Sequence, residues 1–259
     1  MFRNLRELYQ YRGLLLSLTQ RELKARYRGS LLGFLWTFLN PTMQMAVYSL
    51  LFSVWMRQKI EHYTYFVFIG LLPWIWFTSS VVGGASAISD RRDLLTKVRF
   101  PAQVLPTTVV TTNLVNFLLA MPLLLLLGLV LGHPLTWHIL LFPAVLFVQL
   151  WVTMALVYLF SAINVTFRDL QQILSNILTM WFFVTPIFYR AETLPEKFRD
   201  LLVLANPMAV MATSYQALFY DGRVPDLAPL GIWMGIAVVL LWMAAGIFER
   251  RREEFAEIV

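Results

Sequence analysis

Apolar and charged positions separate into long blocks along this chain. Gly29 to Met56 is uncharged over 28 residues, and Phe100 to Phe167 contains no Asp, Glu, Lys or Arg. About twenty apolar residues suffice to cross a bilayer, so the blocks predict membrane-spanning helices. The spans fall at 31–55 with Pro41 as a kink, 65–87 with Pro73, 104–131, 139–163, 170–189 and 227–248. Gly132-His133-Pro134 divides the third from the fourth. The uncharged stretch 201–220 is also twenty residues long, but Asn206-Pro207, Thr213, Ser214 and Gln216 weaken it as a lipid-facing span. Segment 190–226 is therefore read as external, with two short helices dipping into the membrane as a re-entrant hairpin. Such broken backbone is tolerated only where protein covers it. Thr193-Leu194-Pro195-Glu196 fits a capping box at its start. Asn206-Pro207 separates its helices, and Asp221-Gly222 ends the second as a turn.

Before the first span, residues 1–28 predict an amphipathic interfacial helix. Leu5, Leu8, Tyr9, Leu15 and Leu16 form its apolar stripe, interrupted by Arg12, with Arg3, Arg6 and Lys24 largely off it. A solvated basic tail is the alternative. The fold class is thus an all-α polytopic membrane protein with six transmembrane helices, a single transmembrane domain over 1–259.

Composition agrees. The chain is 59% hydrophobic and 14% charged, with a mean hydropathy of +0.65, whereas soluble domains carry roughly 25% charged residues. The net charge is +6, but the cations flank apolar segments, so topology and anionic headgroups explain them better than nucleic acid does. Six spans put both termini in the cytoplasm. The cations then number seven before the first span, four in the loop after the second, Arg168, and Arg250, Arg251 and Arg252. Fifteen inside against six outside is a clear positive-inside bias. A seventh crossing would put the final triplet outside. Cysteine is absent, which excludes disulfides and thiolate metal sites. Three scattered His do not suggest a metal site, no signal-peptide cleavage pattern follows the short apolar run Leu14 to Leu18, and no internal repeat is evident.

Two features could carry function. The loop SDRRDLLTKVRFP has Asp90 as a plausible N-cap and Asp93 in a first helical turn. Arg91 to Val98 could form two turns, stopped at Phe100 by Pro101. A short, stiff, charged helix there suits transmission of force from a cytoplasmic partner; an ordinary positive-inside loop is the alternative. The second feature is aromatic. Trp36, Trp55, Tyr63, Tyr65 and Tyr189 lie near span ends, as interfacial belts do, whereas Trp74, Trp76 and Trp151 lie near span centres. Aromatic faces stack on sugar rings while indole and phenol groups donate to hydroxyls, so a sugar conduit could use them, as could ordinary helix packing. No G-x-x-x-x-G-K-[ST] run is present, so this chain does not hydrolyse ATP through a P-loop. No span holds a charge, which disfavours an ion-coupled carrier. Acidic residues near a membrane face are too few for an integral transferase.

The collar RELKARYRGSLLGFLWTFLNP, the loop DRRDLLTKVRFP, and the segments NVTFRDLQQILSNIL, FFVTPIFY, LPEKFRDLLVLANPM and LFYDGRVP together resemble the membrane subunit of polysaccharide-exporting ABC transporters of the type-2 export class. That group includes O-antigen, capsule and teichoic acid exporters. The resemblance covers nearly the whole chain. It departs at Gln216, where a basic residue is expected, a change that would alter how the external hairpin meets the polymer.

The resemblance implies a homodimer of six-span permeases in the bacterial inner membrane, with two separate ATP-binding subunits. This chain would hold no cofactor, ATP and Mg being bound by the partner. Segment 89–101 becomes the coupling loop, with Asp90, Arg91, Arg92, Asp93, Lys97 and Arg99 seated on the ATPase. Arg21, Lys24, Arg26 and Arg28 would stand at a cytoplasmic entrance, facing the pyrophosphate of a lipid carrier. Trp36, Tyr48, Trp74, Trp76 and Phe183 are the candidate conduit lining. The expected function is ATP-driven export of a lipid-linked polysaccharide. A drug or lipid exporter of the same class is the nearest alternative, with an intramembrane enzyme of glycolipid assembly and a passive channel further off.

Overall fold

The computed structural model describes residues 2–55, 60–91, 100–133 and 136–250. All its regular elements there are helical. Helices α1 (Phe2–Gln10) and α2 (Arg12–Tyr27) lead into a tight turn, then α3 (Trp36–Leu50), α4 (Tyr63–Ser86), α5 (Val104–Val130), α6 (Phe142–Asn164), α7 (Leu170–Val184), α8 (Glu196–Ala205), α9 (Pro207–Gln216) and α10 (Leu227–Arg250).

Among the described residues, four helical stretches are long and apolar enough to cross a membrane: Tyr63–Ser86, Val104–Val130, Trp137–Asn164 and Leu227–Phe248. The pair Glu196–Leu202 and Pro207–Asp221, bent by 106°, would make a fifth if counted as one broken span. The 170–189 block is helical only over Leu170–Val184. Thr185 is extended at φ −77°, ψ 135°, because the residue before Pro186 is pushed out of the helical region. The first apolar block is helical over Trp36–Leu50 and continues as a π-helical turn, Leu51–Trp55.

The core is organised around α4. It is apolar on every side, and 72% of its most apolar stretch is buried, against 17–33% for the other three long helices. It packs against α3, α5, α6, α7 and α9. Two close approaches set this packing. Gly84 lies so near Val157 of α6 that an added Cβ would stand 2.5 Å from Val157 Cγ1, and Gly70 gives room to Ile187 at 3.3 Å. Helix α10 lies outside, along α6.

At the end of the bundle that carries α1 and α2, the amphipathic segment does not use its whole expected stripe. Leu8, Tyr11, Leu14, Leu15 and Leu18 pack on Ala87, Phe100, Val104, Leu105 and Val109, whereas Tyr9 and Leu16 are 67% and 57% exposed. The stripe divides because α1 and α2 are separate helices that break at Tyr11. At the opposite end, the hairpin is two helices parted at Asn206, as its sequence predicts. The capping box is not made: the α8 N-cap is Pro195 with no side-chain cap bond, and Thr193 Oγ1 donates instead to the Arg190 carbonyl at 2.7 Å. Asn206 is the real cap, accepting from Ala209 N–H at 3.0 Å. Gly222, at φ 62°, closes the second helix as the Asp-Gly pair predicts.

Candidate functional site

The chain reverses between α2 and α3 at Gly29 and Gly33, whose φ of 78° and 47° only glycine adopts without strain. Ser30 organises this turn. Its Oγ accepts from Gly33 N–H at 3.2 Å and from Trp36 Nε1 at 3.1 Å, which holds the Trp36 ring in place. Behind the turn lies a cavity of about 470 Å³ between α2, α3, α4 and α5, a size typical of ligand sites. Its wall includes Arg26, Ser30, Trp36, Asn40, Gln44 and Asn113. Trp76 and Phe117 also line it, stacked at 5.3 Å and 20°. Arg26 is the only charged residue among those lining it.

A second cavity of about 410 Å³ continues past α3 toward α7 and shares Gln44, Ile75 and Ser79 with the first. Tyr48, Trp74, Thr78, Ser175, Thr179 and Phe182 are in its wall, with no charged group. Sharing these residues, the two make one groove with Arg26 at one end and aromatic side chains along its whole length. Hydroxyl and amide groups run along it. Trp74 sits 5.4 Å from Phe182 and 6.4 Å from Trp181, and Tyr48 lies 5.2 Å from both Phe182 and Phe188.

The groove therefore brings together Arg26, Trp36, Tyr48, Trp74 and Trp76. Phe183 lines neither cavity and is 52% exposed; its neighbour Phe182 is in the wall instead. Arg21, Lys24 and Arg28 are exposed on and just after α2. Of the loop residues, Asp90 and Arg91 fall in a short 3-10 turn, Ser89–Arg91; Arg92, Asp93, Lys97 and Arg99 lie outside the described residues.

Contacts with no counterpart in the sequence pattern tie α2 to its surroundings. Glu22, the lone acid in the basic collar, forms a salt bridge with Arg91, and its other oxygen accepts from Thr112 Oγ1 at 3.2 Å. Arg26 Nη2 donates to Asn113 Oδ1 at 3.1 Å. Burial, and after it repulsion from Arg21, holds the Arg91 guanidinium below its ordinary value despite the Glu22 pair; it stays protonated, as arginine does in proteins. An acid placed among cations was the one signal in the sequence that marked Glu22.

On the opposite face, three loops are knit together. His62 Nδ1 and His133 Nε2 lie 3.1 Å apart, so two histidines scattered in sequence meet in space; no cluster of three or more metal-ligating side chains occurs among the described residues. Tyr220 donates to the Glu61 carbonyl at 2.6 Å. Arg190 pairs with Asp221 at 3.0 Å and lies over the Tyr220 ring at 5.0 Å. Burial is the largest influence and opposes the Arg190 charge, but Asp221 and Tyr220 together outweigh it and leave the guanidinium above its ordinary value. Gln216 is 5% exposed, and its Nε2 donates to the Pro186 carbonyl at 2.8 Å. It locks the hairpin to the turn after α7 and does not face outward, contrary to the role expected from the sequence.

A bundle with a buried apolar centre and an aromatic, amide-lined groove that carries a single cation, Arg26, is a polytopic membrane protein with a polar path into its interior. Residues 13–220 match the ABC-2 type transporter family, and the chain belongs to that family. It is 64% identical, over the full length of both chains, to the O-antigen export system permease protein RfbA of Myxococcus xanthus. It is 32% identical to a protein of the same name from Klebsiella pneumoniae, over 95% of each chain. To the polysialic acid transport protein KpsM of Escherichia coli it is 22% identical, over 90% of this chain and 91% of that one.

Proposed function

We propose that this chain is the permease of an ATP-driven exporter that moves a lipid-linked, O-antigen-like polysaccharide across the bacterial inner membrane. In this reading six segments cross the bilayer: 31–55, the four long helices and the helix that starts at Leu170. Segment 190–226 is a re-entrant hairpin, and both termini are cytoplasmic. Two copies pair with two ATP-binding subunits, which supply the P-loop and bind ATP and Mg.

The observation that carries the reading is the groove with Arg26 at one end. A guanidinium recognises phosphate oxygens by paired hydrogen bonds. Trp36, half-buried in the first cavity wall, has ring surface for a sugar to stack on, whereas Trp74 is buried against Phe182 and Trp181 and supplies an aromatic edge to the second. Asn40, Gln44 and Asn113 offer amides to hydroxyls. A path without further charge lets a neutral or anionic chain pass without binding it tightly. Arg21, Lys24, Arg26 and Arg28 act as the loading site for a pyrophosphate headgroup.

The test is ATP-dependent export in proteoliposomes containing this permease and its ATP-binding subunit, with a polyprenyl-pyrophosphate-linked polysaccharide. Arg26→Ala with Arg28→Ala is expected to impair export while membrane insertion stays intact. Normal polymer export by that variant would overturn the headgroup role. Failure of the wild-type complex to export would overturn the function.

A further inference from the structure

We propose that Glu22 is a positioning residue that links the loop after α4 to the groove, with α2 as the lever between them. This rests on the export reading above and assigns a means of control to the same site. Glu22 engages two elements at once: one oxygen pairs with Arg91 in the turn that follows α4, and the other accepts from Thr112 of α5. Four residues further on, on the same face of α2, Arg26 bonds to Asn113 and enters the cavity wall. Thr112 and Asn113 are adjacent on α5 and only 1% and 5% exposed. They form a fixed anchor to which one face of α2 is fastened at two successive points.

Arg91 joins the first of these points. Whatever moves Arg91 must break or drag the Glu22 contact, and one rigid helical turn carries that displacement to Arg26. The charge arrangement makes the contact decisive. Arg21 stands close enough to Arg91 to repel it, and the Glu22 carboxylate paired with Arg91 opposes that repulsion. Removing its charge would release Arg91 and free α2 from the loop while Arg26 and Asn113 remain intact.

The prediction is a loss of coupling, not of assembly. In the complete complex, reconstituted with the same lipid-linked polysaccharide, Glu22→Gln is expected to lower polymer exported per ATP hydrolysed by roughly fivefold or more, the range of ordinary coupling free energies. ATP turnover itself should persist. Arg91→Gln should do the same, and the double variant should be no worse than the more impaired single one. Thr112→Val removes only a hydroxyl and leaves the ion pair, so it serves if Glu22→Gln does not assemble; about a twofold drop in the ratio is expected, since a single neutral hydrogen bond contributes little. An unchanged ratio in Glu22→Gln, or in Thr112→Val where only that variant assembles, overturns the proposal. Equal losses of export and ATP turnover, which mark a merely structural role, also overturn it. If the wild-type complex itself exports nothing, the export reading has failed, an outcome distinct from failure of the lever.

Discussion

Neighbouring glycines in α4 make opposite predictions. Gly83 and Gly84 sit in the same helical turn, so Ala at either gains the same helix propensity, and that gain cancels when the two variants are compared. Their surroundings differ. A Cβ at Gly83 meets only Val109 Cγ1 at 3.3 Å, on a partly buried side chain that can give by a few tenths of an ångström. A Cβ at Gly84 meets Val157 Cγ1 at 2.5 Å, Cγ2 at 3.2 Å and Cβ at 3.4 Å. Val157 is fully buried, and its branched Cβ leaves few alternative rotamers. One extra methyl in such a site costs about 1–3 kcal/mol. For a chain of this size that is roughly 2–10 °C in melting temperature. The assay is the apparent Tm of purified permease, at one scan rate and in one detergent, for Gly83→Ala and Gly84→Ala. The second should melt lower. Val157→Ala opens a void of the right shape, so Gly84→Ala combined with Val157→Ala should be more stable than the two single effects predict, by about 0.5–3 kcal/mol. If Gly84→Ala melts at or above Gly83→Ala, the α4–α6 contact described here is wrong.

Three further substitutions test the packing of α7 and the hairpin. Gln216→Leu leaves the Pro186 carbonyl without its buried donor and should cost about 1–3 kcal/mol, read as a lower Tm; no change would mean that the carbonyl finds another donor. Phe182→Ala should cost about 3–5 kcal/mol as a core truncation, because Phe182 is 6% exposed and contacts Tyr48, Trp74 and Phe188. Phe183→Ala should cost clearly less, about 1 kcal/mol, because Phe183 is 52% exposed and loses ring contacts with Phe182 and Phe188; equal losses would refute the assignment of the inward face.

Phe182 and Phe183 also show where sequence reading works and where it stops. Local patterns located the helices well: uncharged blocks marked α4, α5, α6 and α10, Asn206-Pro207 marked the break in the hairpin, and Asp221-Gly222 marked its end. Even the early end of α7 at Thr185 was available from Pro186. The inward face of α7 was available too, since Leu174, Leu178 and Phe182 recur every four residues and all three are buried. Phe183 lies about 100° away from that row around the helix. Central placement singled out Trp74, Trp76 and Trp151, because a tryptophan far from either interface has no headgroup to reach; the first two line the groove and Trp151 lines neither cavity. What the sequence did not contain was pairing between segments. Glu22 to Thr112 spans 90 residues and Arg26 to Asn113 spans 87. Periodicity carries no information at that range. The contacts arise only once α2 docks beneath α5, and docking depends on which leucines of a divided stripe turn inward. For the same reason Gln216 read as a surface feature from its own segment. Its partner carbonyl is 30 residues away, and a buried polar side chain shows its purpose only beside the group it satisfies.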